Sequence, residues 1–309
     1  MIIEDRPALA PLTTLRLGGR ALAAVRLERL EELSRLPETL KRIGGSPHVL
    51  GGGSNLLIED GELPIVVVRP LIGTGDKDEP QPLGRESEHC GTEGNLLFRV
   101  DAGMRVPHLL SWCVRHSLAG LEGLVGVPGR VGGAIAMNAG AYGCSVAPLL
   151  RSLTVFTPER GVHILRPDGW KSAYRRFCLK EDCSWFMILS AVLALHVSTP
   201  PALKSVFREN FRRKKANQPL REHTAGCVFK NPEGDSAGRL LDAAGMKGVR
   251  RGAFFFSPVH ANFLVHDVRS GILGTSADAL ALIAEARQRV KERFGVTLDL
   301  EVRVWPCLS

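Results

Sequence analysis

Three residue patterns in this chain could do chemistry. The first is glycine crowding. Glu122 to Gly143 reads EGLVGVPGRVGGAIAMNAGAYG and carries Gly123, Gly126, Gly129, Gly132, Gly133, Gly140 and Gly143, with Pro128 among them. Glycine at that density weakens helix and strand alike, so it serves another purpose. Either it lets backbone N–H groups approach a bulky anion, most often a diphosphate, or it makes a tightly packed loop without ligand. No Gly-Lys-Ser/Thr follows at Walker A spacing, and the run does not read as a G-x-G-x-x-G dinucleotide turn. A second cluster, Gly51-Gly52-Gly53, leads into Ser54 and Asn55. Those two side chains suit a ligand phosphate or the capping of a turn equally well.

The second pattern is a run of cations. Leu203, Phe207 and Phe211 recur at i, i+4 and i+8, and Arg208, Arg212, Arg213, Lys214 and Lys215 cover the other positions. Such a helix is a solvated face, a phosphate contact or a nucleic-acid contact; the aromatic interleaving of single-strand binders is missing. The third pattern is isolated reactive side chains. Cys227 stands between Gly226 and Val228 in TAGCVFKNP, His260 lies between two apolar runs, and Glu301 shares the C-terminal segment with Arg303. His108 and His116 read as surface or packing residues.

Elements must position these groups. Thr13–Leu17, Ile65–Arg69, Leu96–Asp101, Leu153–Thr157, Phe186–Leu195, Phe254–Phe256, Ala261–Val265 and Val296–Val304 read as strands. His48 to Leu57 reads as strand, glycine loop and strand. Helices are expected over 27–43, with Pro37 splitting it or starting a second piece, and over 105–118, 203–216, 236–241 and 276–294. Thr275-Ser-Ala-Asp278 is a capping-box start for the last, Leu280, Ile283, Val290 and Phe294 form its buried face, and Gly295 stops it. Tyr174–Lys180 reads as a basic link and 73–95 as a polar loop. Short strands with few long helices indicate an α+β fold rather than a doubly wound sheet.

Composition sets the class. A chain of 309 residues suggests two or three domains, and 44% hydrophobic with 23% charged residues is ordinary for a globular protein with a sizeable core. No apolar run reaches the roughly 18 residues of a membrane span, and MIIEDRPALAP is not a signal peptide. Seven cysteines without C-x-x-C or zinc spacing indicate reduced thiols in the cytoplasm and no metal site. The net charge of +8 suits phosphate-bearing ligands or nucleic acid.

The segments TTLRLGG, LGGGSNLLI, GVPGRVGGAIAMNAGAYG, YRRFCLK, AGCVFKNP, SAGRLLDAAGMKG, SPVHANFLV and EVRV, in this order, resemble the UDP-N-acetylenolpyruvoylglucosamine reductase (MurB) family over nearly the whole chain. The resemblance implies a two-lobed FAD-binding fold of the vanillyl-alcohol-oxidase type followed by an α+β substrate-binding domain. Its lobes would be 1–68 and 69–199, and 200–309 would bind substrate, with the C-terminal strand returning to the active site. Gly51, Gly52, Gly53, Ser54 and Asn55, with Gly126, Pro128, Gly129, Gly132, Gly133, Ala134, Asn138 and Gly140, would wrap the FAD diphosphate. The implied reaction takes hydride from NADPH through FAD to UDP-N-acetylglucosamine enolpyruvate, giving UDP-N-acetylmuramate. Partners would be those two small molecules, with no nucleic acid and no membrane, and the protein would be a monomer.

Residue by residue, Arg175 matches the family's active-site arginine, beside Tyr174 at the substrate, and Glu301 matches its glutamate that assists protonation. Cys227 stands where most members carry the proton-donating serine. A thiol, with an ordinary pKa of about 8.5, is mostly protonated at neutral pH and is a stronger acid than a hydroxyl. Phe177 replaces a usual serine, while Lys180 still matches. Lys230 and Asn231 would face the UDP-sugar phosphates, with Arg213 and Arg221 assisting. Tyr142 is read as packing, and His260 and Asn262 as structural neighbours of the site. The alternatives are an FAD-binding protein of the same fold with altered or lost activity, a nucleic-acid binder using the basic helix, and another FAD oxidase with a linking residue such as Cys144. Residues 73–95 look like an insertion.

Overall fold

Ile65, Val66, Val67 and Val68 are fully buried in the strand Glu62–Pro70. Side chains stiff at χ1 fit a pleated surface covered on both faces. This strand belongs to a four-stranded sheet in the order Ile2–Asp5, Arg20–Leu27, Glu62–Pro70, Ser46–Val49. A computed structural model describes residues 1–72, 79–86 and 94–306. The chain forms two compact units. The first comprises Met1–Ile3, Val25–Gly51 and Val67–Arg213; the second comprises Glu4–Ala24, Gly52–Val66 and the chain from Lys214 on. Each is built from separated stretches, whereas the sequence reading divided the chain consecutively at 68 and 199.

The first unit is centred on Met187–Val197, the apolar strand expected near 186–195. It lies in an antiparallel sheet ordered Gly161–Leu165, Leu150–Thr157, Met187–Val197, Leu96–Asp101, Gln81–Arg85, and also pairs with Leu118–Ala119. The helix Val106–Arg115 supplies Leu109, Leu110 and Trp112 to the core, and the Trp112 ring meets Phe98 edge-on at 5.0 Å. In the second unit, His223–Cys227, Phe263–His266, Phe254–Phe256 and Arg250–Arg251 make an antiparallel sheet. The helices Ala237–Ala243 and Ser276–Phe294 share its core, and Arg303–Trp305 pairs in parallel with Leu56–Ile58. The Thr275 hydroxyl accepts from Asp278 N–H, and Gly295 ends the long helix at φ 70°, as its sequence signals require.

Several expectations need correction. Thr13–Leu17 is not a strand, because Arg16 adopts φ 58°, which an extended run excludes. Leu27 ends a strand, a 3-10 turn spans Leu30–Arg35, and the α-helix begins only at Leu36 with Pro37 in its first turn. Tyr174–Lys180 is no link: Arg176–Leu179 pairs with Trp170–Ala173 as a hairpin. Its Phe177 is buried near Trp170 and Phe186, at 6.2 and 6.4 Å between ring centroids. Within the expected loop, Gln81–Arg85 is an edge strand, which tolerates Pro82; 73–78 and 87–93 lie outside the described residues. Of 296–304 only Arg303 and Val304 lie in a strand, Arg303–Trp305, and the strand expected over Ala261–Val265 runs instead over Phe263–His266. In the helix Pro200–Asn217, Phe211 is 47% exposed, and the buried face runs through Leu203, Phe207, Asn210 and Lys214. Strict i+4 steps drift about 80° over eight residues of a 3.6-residue turn, so i+7 wins over i+8.

Candidate active site

The second unit holds the reactive side chains at one crossing of segments. Gly226 takes φ 79°, and its N–H donates to Thr224 Oγ1 at 2.9 Å. The register against Phe263–His266 shifts between Thr224 and Cys227. Such a bulge re-aims the side chain that follows it, here Cys227, which is half-buried. The Val228 carbonyl accepts from Glu301 N–H at 2.8 Å and from Val302 N–H at 3.3 Å. Lys230 N–H donates to the Asp299 carbonyl at 2.9 Å. Asn55 Nδ2 donates to the Glu301 carbonyl at 3.1 Å, and Arg303 N–H donates to the Asn55 carbonyl at 3.0 Å. The fold thus brings Cys227, Lys230, Glu301 and Asn55 onto adjoining backbone.

Asn231 stands apart in what it does: its Oδ1 accepts from Ala237 N–H at 3.0 Å, capping the helix Ala237–Ala243. Arg221 is exposed in the turn before His223–Cys227. His260 Nδ1 accepts from Asn262 N–H at 3.2 Å. Burial, then the Lys247 cation, hold the His260 imidazole below its ordinary pKa, with a backbone hydrogen bond opposing them. Gly53 has φ 63°, and a Cβ there would stand 2.0 Å from the Leu12 carbonyl oxygen, so this glycine answers to the protein's own backbone. Gly52 lines an open cavity of about 350 Å³ with Leu12, Thr13, Thr14, Arg16 and His223. Ser54 sits in the turn leading to Leu56–Ile58.

The first unit holds the long glycine stretch, the Tyr174–Arg175 turn and Gly51. Cβ atoms at Gly123, Gly132 and Gly140 would stand 2.3 Å from the Ala141 carbonyl oxygen, 2.9 Å from Ala102 Cβ and 2.0 Å from the Cys144 carbonyl oxygen. At these three positions a side chain would collide with the protein itself. The N–H groups of Val131, Gly132 and Ala134 donate to the carbonyls of Met104, Ala102 and Arg130 at 2.9 Å each. Gly126 and Gly129 adopt φ 70° and 105° around the exposed Pro128. Gly51 and Gly133 differ: a Cβ at either would meet nothing within 4 Å. Arg130 donates to the Gly103 carbonyl. Burial, then the Arg105 and Arg69 cations, depress its guanidinium pKa. Arg130, with Arg105 and Arg69 close enough to act on it, precedes the helix that holds Gly133 and its open space, and such a set suits an anion such as a diphosphate; sequence reading missed these cations because they are scattered along the chain.

Arg175 is the hairpin's turn residue at φ 53°, half-buried, with its guanidinium over the Tyr174 ring at 5.3 Å. Asn138, buried at φ 39°, donates from Nδ2 to the Ala173 carbonyl at 2.9 Å and accepts at Oδ1 from Ala147 N–H at 3.0 Å. Its amide ties the glycine stretch to the strand that ends beside Tyr174. Arg213 donates to Glu209 at 2.7 Å along its helix. Tyr142 is exposed at a left-handed φ of 53°. Among the described residues no group of three or more His, Cys, Asp or Glu could hold a metal ion, and no helix is long and apolar enough to cross a membrane.

A family model described as the UDP-N-acetylenolpyruvoylglucosamine reductase C-terminal domain matches residues 218–305, and an FAD binding domain matches 21–165. The UDP-N-acetylenolpyruvoylglucosamine reductase of Oleidesulfovibrio alaskensis is 45% identical over 306 residues, covering 99% of this chain and 98% of the relative. That of Nitratidesulfovibrio vulgaris is 46% identical over 303 residues, 98% of each. The crystal structure of the Thermus caldophilus reductase superposes with a TM-score of 0.79 at 34% identity, covering 99% of this chain and 100% of that one.

Proposed function

We propose, from the premise that this chain belongs to the UDP-N-acetylenolpyruvoylglucosamine reductase family, that it uses NADPH to reduce UDP-N-acetylglucosamine enolpyruvate, with Cys227 as proton donor. The protein is an FAD-dependent oxidoreductase of peptidoglycan precursor synthesis with an α+β fold. The open space at Gly51 and Gly133 and the cations of Arg69, Arg105 and Arg130 fit FAD's diphosphate. FAD, when bound, supplies two-electron hydride chemistry between NADPH and C3 of the enolpyruvyl group.

The chain's residues handle the charge and the proton. Hydride arriving at C3 leaves an electron pair at C2, spread into the neighbouring carboxylate. Arg175, always charged and able to grip a carboxylate with two parallel bonds, holds that group and stabilises the developing charge. Cys227 holds a proton at Sγ and gives it to C2. Glu301 assists that transfer. Lys230, with Tyr174, Arg213, Arg221 and Asn231, binds the UDP-sugar. The consecutive division at 68 and 199 assigns flavin to the first two segments and substrate to the third. The enzyme works as a cytoplasmic monomer.

The observation that supports this reading is the bond from Glu301 N–H to the Val228 carbonyl, 2.8 Å, which joins the Glu301 backbone to the residue that follows Cys227. Stopped-flow absorbance tests it. NADPH should bleach the flavin, and the enolpyruvyl substrate should restore it in wild type and Cys227→Ser. Bleaching without restoration in wild type would end the reading.

A further inference from the structure

We infer that Asn262 is a positioning residue for the proton-donating segment, acting on Cys227 and Lys230 through the backbone of Phe229; this rests on the reductase reading of Cys227. Asn262 is 2% exposed. Its carboxamide makes both bonds that a neighbouring strand would make. Oδ1 accepts from Phe229 N–H at 2.9 Å, and Nδ2 donates to the Phe229 carbonyl at 2.8 Å. The Asn262 carbonyl also accepts from Val228 N–H at 2.8 Å. One residue therefore fixes both positions between Cys227 and Lys230 on one side, while Glu301 and Val302 fix Val228 on the other.

A side chain serves here because the bulge at 224–227 interrupts the strand ladder just before it. The Phe229 side chain is 0% exposed, and buried backbone N–H and C=O groups are costly without partners. The task needs one donor and one acceptor on the same short side chain. Asn provides both, whereas an ionised Asp only accepts.

That difference supplies the test, Asn262→Asp. The ionised carboxylate still accepts from Phe229 N–H but confronts the Phe229 carbonyl with no proton. The protonated carboxyl donates and restores the arrangement, and burial raises the pH at which it forms. The titratable groups on the segments packed against this position are Cys227, Lys230, His260, Asp299 and Glu301. All are present in wild type, so the difference between the two pH profiles isolates the new carboxyl.

Flavin bleaching by NADPH should match wild type. Flavin restoration by the enolpyruvyl substrate should fall about 100-fold at high pH, the scale of a misplacement near 1 Å, and recover as pH falls. Alkylation of Cys227 by iodoacetamide, followed on its peptide by mass spectrometry without substrate, should change with the same pH dependence. Restoration parallel to wild type at every pH, or equal loss in both half-reactions, overturns the inference. Failure of wild type to restore the flavin overturns the reductase reading instead, and the alkylation profile then decides the positioning role alone. If Asn262→Asp does not fold, amide exchange in wild type decides. Phe229 N–H should exchange only with global unfolding, and exchange at the rate of an open loop overturns the inference.

Discussion

The glycine stretch 122–143 and the crossing of 226–231 with 299–303 do opposite work. The stretch deletes side chains. At Gly123, Gly132 and Gly140 the deletion lets the chain pack on itself, and at Gly133 it leaves room. The crossing fixes side chains: bonds among Val228, Glu301, Asn262 and Asn55 hold Cys227 and Lys230 in register. The same sequence character, high glycine, thus covers two purposes that only the surroundings of each Cα distinguish.

The largest effect that could break this contrast is Gly140→Val. Its Cβ would stand 2.0 Å from the Cys144 carbonyl oxygen and 2.7 Å from Ser145 Cα, both backbone. We expect a loss of about 3 kcal/mol or more, or no folded protein, read by urea unfolding; a variant as stable as wild type would remove the packing role. Next, Cys227→Ala should slow flavin restoration about 100- to 10,000-fold, the range for a lost acid, with bleaching and melting temperature unchanged. A smaller change separates the two kinds of glycine. Gly133→Ala should keep stability within about 1 kcal/mol yet lower the flavin retained on purification, seen in the ratio of 450 to 280 nm absorbance. Full flavin retention would mean that the space at Gly133 is not for the cofactor. The smallest effect concerns His260, whose folded-state pKa lies below its ordinary value. A depressed value favours the neutral form in the fold. That contribution is present above the unfolded pKa of about 6.5 and is lost as pH falls below it through the depressed folded value. Urea midpoints should therefore drop more between pH 7.5 and 5.5 in wild type than in His260→Gln; equal drops would reject the assignment.

How legible these features were depends on whether their causes are local. The helix Ser276–Phe294 was readable because its cap, apolar face and stop lie within its own residues. Leu96–Asp101 and Met187–Val197 announced themselves by apolar runs. The hairpin at Trp170–Leu179 did not, since Arg175 and Arg176 mask an alternation whose inward members are Trp170 and Phe177. Gln81–Arg85 is exposed throughout and exists only because Leu96–Asp101 offers a ladder; no local propensity marks it. At the site, the resemblance selected Cys227 and Glu301. Their adjacency depends on contacts between residues more than 70 positions apart, which no window of sequence contains. Asn262 was legible as a structural neighbour of the site, but its two bonds to Phe229 needed coordinates.

The pairing of Leu56–Ile58 with Arg303–Trp305 bears on how the protein is made. During translation the first of these segments leaves the ribosome long before its partner. At about 5–20 residues per second, the nearly 250 intervening residues take roughly 12 to 50 seconds. Throughout that interval an apolar strand, buried in the finished fold, presents unpaired backbone to any other nascent segment. The crossing that carries Glu301 therefore closes only once Arg303–Trp305 has been made, long after Leu56–Ile58.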